Sequence, residues 1–128
     1  MGFKVDIKDY ENKIKSACVD TLESAATIAV AEIKTRTPVK TGALRRSIIH
    51  SDVDEIDMSV SVGSSISYAK YVEEGYTQNK GQYVKALGKK LTGKRIKGRH
   101  MIHDGITVAQ SKVEGILNKK LKEKFNHD

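Results

Sequence analysis

The chain holds a single proline, and its position divides the sequence into its main parts. From residue 9 to residue 36, Tyr10, Ile14, Ala17, Cys18, Leu22, Ala25, Ile28, Ala29 and Ile33 recur at three- and four-residue steps, with Thr21 on the same face. That spacing predicts a long amphipathic helix. Pro38 ends it, because the residue before a proline is driven out of helical backbone. Asp6 and Asp9 are the candidate N-caps, and their charge suits the positive end of the helix dipole. Between Ala25 and Ile33 the run is apolar almost all round and rich in alanine. Side chains that small let another helix approach closely.

After the proline the period changes. In Thr37-Pro38-Val39-Lys40-Thr41-Gly42-Ala43-Leu44-Arg45-Arg46-Ser47-Ile48, Thr41 can cap a short turn of helix. Gly42 relaxes the backbone, and Leu44 and Ile48 anchor the corner in the core. Residues 47–52 and 57–63 turn extended: Met58, Val60 and Val62 alternate with Ser59 and Ser61, the period of a half-buried strand. The acidic connection holding Asp52, Asp54, Glu55 and Asp57 supplies the turn of a β-hairpin. Gly63-Ser64-Ser65 breaks the strand. Tyr68, Tyr71 and Val72 then mark one face of a short helix that ends at Gly75, a favoured C-terminal residue. Further on, Gln82–Lys85 and Lys94–Lys97 read as two strands around Gly88 to Gly93, and the glycines equally suit a loop. Ile102, Ile106, Ala109, Val113, Ile116, Leu117, Leu121 and Phe125 define a final amphipathic helix with lysines on its outer face.

These elements predict an α+β fold. Two long helices pack on a small antiparallel sheet made of the hairpin and the extended basic segment, with one short helix between. The 128 residues make one domain (1–128), with residues 77–100 a basic loop or hairpin inside it. With 38% hydrophobic residues, 30% charged and no tryptophan, the core is thin, and extra burial in an oligomer is expected. No stretch approaches the ~18 consecutive apolar residues of a membrane span, so no membrane partner is expected. The first residues lack the apolar run of a signal peptide, which predicts a cytoplasmic start.

Charge is concentrated in one segment. Lys80, Lys85, Lys89, Lys90, Lys94, Arg95, Lys97 and Arg99 fall between Thr77 and His100 with no carboxylate among them. Removing those eight from the net charge of +7 leaves the remainder of the chain at −1. A patch of this kind acts through a local field on phosphate backbones, or on an acidic protein surface such as another subunit's. Tyr83 is the one aromatic in the patch, too few for a single-strand stacking platform, so sequence-independent contact with duplex phosphate, or with acidic residues of another subunit, fits better. The alternative to a charged partner is a solvated loop.

Signs of catalysis or of a cofactor are missing from the pattern. His100, His103 and Asp104 are the best metal candidate, yet no cysteine or distant histidine joins them, and structural zinc wants four ligands. Capping of the final helix is the better reading of that run. The acidic turn fails the calcium-loop pattern. Glu73 and Glu74 are adjacent on a helix and point apart; Glu73 is expected to accept hydrogen bonds locally and Glu74 to face water. No serine sits in a nucleophile elbow. Cys18, the lone cysteine, excludes an internal disulfide and reads as an inert thiol on the apolar helix face. No catalytic, metal or cofactor site is expected.

Two runs carry a resemblance. Pro38, Thr41-Gly42, Leu44-Arg45 and Ser47-Ile48, followed by Tyr68-Ala69, Val72-Glu73 and Gly75, resemble the tail-component family of long-tailed bacteriophages, the tail-completion, neck or head–tail joining proteins. The order of elements agrees over about residues 5–125. The chain departs at Glu74, where the family often has an aromatic, and at His100-Met101-Ile102, where it usually has a Pro-Phe pair. The resemblance implies a virion protein at the head–tail junction, made and assembled in the bacterial host cytoplasm. It implies a homo-oligomeric ring around the DNA passage, contacts with other neck and tail proteins, and no catalysis. Pro38, Thr41, Gly42, Leu44, Arg45, Ser47, Tyr68, Tyr71, Glu73 and Gly75 then form a structural motif. The basic segment touches DNA or a partner, and Asp52, Asp54, Glu55 and Asp57 belong to a subunit interface. The competing class is a small basic nucleic-acid-binding protein, nuclease or toxin, for which only His100 and His103 are available.

Overall fold

The computed structural model describes residues 7–39, 42–77, 81, 83–84, 88–90 and 93–126. Asp6, Thr41, Lys80 and Lys85, singled out above, lie outside the described residues. The rest is mixed helix and strand. Helix α1 (Lys8–Arg36) is followed by α2 (Ala43–Ser47) and the strands β1 (Ile48–His50) and β2 (Val62–Ser64). Next come α3 (Ala69–Glu74), β3 (Gly75–Thr77), β4 (Tyr83–Val84), β5 (Lys89–Lys90) and β6 (Arg95–Lys97), and then α4 (Met101–Phe125).

The long helices form the body. They run antiparallel, so that Ile33 near the end of α1 meets Gly105 near the start of α4, and Tyr10 meets Phe125 at the opposite end. Ala17, Thr21, Ala25, Ala26, Ala29 and Ile33 are the buried face of α1, and Met101, Gly105 and Ala109 that of α4. The small residues bring the two backbones together: a Cβ on Gly105 would run into the Ile33 side chain and lie within 2.8 Å of its backbone nitrogen. The alanine-rich run thus packs on α4 of the same chain. Thr21 and Thr37 are buried without cost because their hydroxyls donate to the Ala17 and Ile33 carbonyls, both at 2.7 Å.

Helix α1 stops where the proline predicts, with Thr37 already extended (ψ 129°). Its start differs from expectation. Ile7 is the N-cap and makes no side-chain cap bond; Asp9 sits inside the first turn, 3.5 Å from Lys13 Nζ, while Asp6 lies outside the described residues. Near its end, the Arg36 guanidinium donates to Glu32 at 2.6 Å and holds that carboxyl below its ordinary range.

The hairpin forms with Ile48 opposite Ser64 and His50 opposite Val62. Its ladder is shorter than the alternating pattern suggested. The Ser51 hydroxyl takes the Ser61 N–H (3.0 Å), and Met58 has a left-handed backbone (φ 49°). Beyond that point only an isolated bridge, Asp54 to Ser59, ties the arms together. Val60 and Val62 nevertheless turn towards the helix pair, lining a cavity of about 240 Å³ with Leu22, Ile106 and Val113.

The basic segment departs further from expectation. Its two strand-like runs do not pair with each other. Tyr83–Val84 pairs with Lys89–Lys90, while Arg95–Lys97 pairs antiparallel with Gly75–Thr77 at the end of the short helix. The described strands therefore form three separate two-stranded pieces.

Candidate functional site

The corner after Pro38 is built by short-range geometry and tied down by polar side chains. Gly42 adopts a left-handed backbone (φ 82°), which a side chain would strain, and α2 begins at the next residue. Leu44 and Ile48 are buried with Ile33, Ala69 and Met101 in one cluster. The Arg45 Nε donates to the Lys34 carbonyl (3.1 Å), which also accepts the Thr37 N–H (3.3 Å) at the C-terminal turn of α1. The Ser47 hydroxyl donates to the Leu44 carbonyl and lies 2.6 Å from the Ser64 hydroxyl on β2. Corner, first helix and hairpin are thus joined side chain by side chain.

The second run works at longer range than its sequence suggests. The Glu73 carboxylate accepts from the backbone N–H groups of Ile102 (2.7 Å) and His103 (2.9 Å), the first turn of α4. A carboxylate there satisfies two donors that no preceding turn can, and sits at the positive end of the dipole. Its bonds are not local, as expected above; they span 29 and 30 residues. Nor does the His100–Asp104 run cap its own helix. His100 is the N-cap with φ 49° and makes no side-chain cap bond, and Asp104 lies 3.1 Å from His103 Nδ1. Glu73 performs the task assigned to that run.

Gly75 completes the arrangement. Its φ is 79°, and a Cβ there would strike the Ile96 carbonyl and the Gly98 nitrogen; a Cβ on Gly98 would strike the Glu73 carbonyl in return. The two antiparallel segments run side by side here at a separation that two glycines permit. Arg99 N–H and His100 N–H reach the Val72 and Glu73 carbonyls at 2.8 and 3.1 Å, closing the end of α3. The Arg95 guanidinium donates to the Glu74 carbonyl at 3.0 Å.

These contacts bring both sequence runs to the edge of one apolar groove of about 810 Å³. Pro38, Gly42 and Leu44 form one wall, and Tyr68, Tyr71 and Val72 another; Tyr76 and Ile96 come from the paired strands, with Lys97 and Arg99 at the rim. Tyr68 is 45% exposed, Tyr71 56% and Tyr76 41%. Tyr71 and Tyr76 meet edge to face, with ring centroids 5.9 Å apart. The tyrosines of the motif are groove residues, then, and not members of the buried cluster. Tyr76, Ile96 and Gly98 escaped the sequence analysis, since nothing in their local pattern ties them to residues twenty positions away.

The charged groups lie on the surface. Lys89, Lys90, Lys94, Arg95, Lys97 and Arg99 are all exposed, and among the described residues none of them pairs with a carboxylate. Asp52, Asp54, Glu55 and Asp57 are likewise exposed at the hairpin end. Asp54 Oδ1 accepts from the N–H groups of Ile56 (3.0 Å) and Asp57 (3.1 Å), fixing the turn. Among the described residues no three histidine, cysteine, aspartate or glutamate side chains gather in a way that could hold a metal ion. No described helix is long and apolar enough to cross a membrane. Cys18 is half-buried.

The helix pair thus carries three distinct surface features: an apolar groove, an acidic turn and an exposed set of cations. Residues 3–75 match a protein-family model described as "Bacteriophage HK97-gp10, putative tail-component". The match covers more than half of the chain, which belongs to this family of phage tail components, and that membership gives it a structural role in the phage tail. Comparison with curated proteins and with solved structures returned no match.

Proposed function

We propose that the protein is a structural virion component at the head–tail junction, a single domain that assembles as a ring around the DNA passage, in contact with other neck and tail proteins. The observation that carries this reading is the strip of exposed cations on β5, β6 and the residues between and after them, with no carboxylate partner among the described residues. Like charges without counter-charges repel one another, which a polyanion offsets, and duplex DNA presents a charge about every 1.7 Å of its axis. A ring surface lined this way holds passing DNA without reading its sequence.

The test is DNA affinity as a function of salt. Arg95 is left intact, because it also bonds the Glu74 carbonyl. Replacing Lys89, Lys90 and Lys94 with Gln should weaken duplex binding equally across sequences and lower the salt slope by up to about 3, one for each lost phosphate contact. Affinity and slope equal to wild type would remove the DNA-facing role. Cleavage of the duplex that disappears on His100→Ala or His103→Ala would instead favour the nuclease class.

A further inference from the structure

The hairpin end of this molecule and its tyrosine groove carry opposite charges, and each exposes apolar side chains. Ile56 stands at the tip of the turn, 96% exposed, the most exposed large apolar side chain among the described residues. Asp52, Asp54, Glu55 and Asp57 surround it, and all four are exposed. An isoleucine in such a position gains nothing for the fold of its own chain. The turn that carries it is rigid: Asp54 holds the Ile56 and Asp57 amides, and Asp54 and Ser59 exchange backbone hydrogen bonds at 2.8 and 3.1 Å. A pre-ordered tip has little freedom left to lose on docking.

The groove has the opposite character. Its floor is apolar, Tyr68, Tyr71 and Tyr76 are partly bare along it, and Lys97 and Arg99 stand at its rim. Tyrosine is among the residues that most often supply binding energy at interfaces, in pockets closed off by a polar border. At about 810 Å³ the space admits a whole turn and not only one side chain. The tip does not occupy the groove of its own chain, since Ile56 is bare.

We infer that the acidic hairpin tip of one copy, led by Ile56, docks into the tyrosine groove of the next. The joint is head-to-tail, two different surfaces of the same chain meeting at each contact, which is the arrangement that generates rings. It rests on the ring reading above and specifies the joint. It also divides the basic strip: Lys97 and Arg99 face the neighbour's carboxylates, leaving Lys89, Lys90 and Lys94 for DNA.

Sedimentation of the full chain over a range of concentrations, with two variants, tests the joint. Ile56→Asp spoils the tip, and Tyr71→Glu places a negative charge in the groove. Each alone should weaken self-association about 30-fold or more, as loss of an interface anchor does. Mixed one to one, the two variants should form dimers and nothing larger, because only one joint of each possible pair remains intact. Melting temperatures equal to wild type establish that the fold is preserved; if Tyr71→Glu melts lower, Arg99→Glu replaces it. Assembly unchanged by both variants, or a mixture that stays monomeric where wild type assembles, overturns the tip–groove joint and leaves the ring standing. A wild-type chain that sediments as a monomer at every concentration overturns the ring and the joint together.

Discussion

The two ends of the α1–α4 pair are built from the same helices and held in different ways. Near Ile33 and Met101 the interface is roofed by the corner, the hairpin and the short helix, and Ile33, Ile48 and Met101 are fully buried. Near Tyr10 and Phe125 no other described element covers the helix pair. Tyr10 stacks on Phe125 at 6.0 Å with the rings 11° apart, Lys13 Nζ stands 5.7 Å from the Phe125 centroid, and Lys124 pairs with Asp20 at 3.2 Å. Ile7, Tyr10, Ile14 and Phe125 remain between 39% and 59% exposed. Two helices alone bury one stripe each; a third layer is needed to bury both sides of a large side chain. The roofed end therefore carries the stability, and the open end is a zipper of weak contacts.

Three experiments sharpen this contrast. Met101→Ala, at the roofed end, should cost about 2–5 kcal/mol in urea unfolding through the cavity left in the core. A midpoint equal to wild type would mean that the roof does not close over this position. Glu73→Ala should cost less, about 1.5–3 kcal/mol, the range for hydrogen bonds to a charged group. Amide exchange at Ile102 and His103 should quicken in that variant; exchange protected as before would show that the cap is dispensable. The smallest effect belongs to the open end. A double-mutant cycle on Tyr10→Ala and Phe125→Ala should give a coupling of about 0.5–1.5 kcal/mol, typical of an aromatic pair. A coupling as large as the Met101 effect would dissolve the distinction between the ends.

Both long helices were readable in the sequence, because each carries its own periodic pattern and Pro38 marks a stop. The short helix was readable for a similar reason, with Gly75 at its end in a left-handed backbone (φ 79°). What escaped was everything that depends on residues meeting across the chain. The strand pairing in the basic segment could not be read because β6 chooses a partner at Gly75–Thr77, ahead of the segment itself. The role of Glu73 was hidden because a carboxylate on a short exposed helix has no local mark of the amides it will reach. The groove was hidden for a third reason. Tyr68 and Tyr71 carry the period of a buried face, and only the position of β3 and β6 shows that this face opens to a groove instead of closing on the core.

The close crossing at Gly105 and Ile33 has a consequence during synthesis. The alanine stripe of α1 is made early, and the helix that covers it is made late. At about 5–20 residues per second, the interval from Ile33 to Phe125 is roughly 5–20 seconds, during which the stripe has no partner. Loops that long also close slowly, because a contact between distant residues must wait for the chain to find it. A nascent chain that stops before Met101 has a Glu73 without its amides and a first helix without its mate. The alanine stripe and the buried cluster therefore close only when the last fifth of the chain has been made.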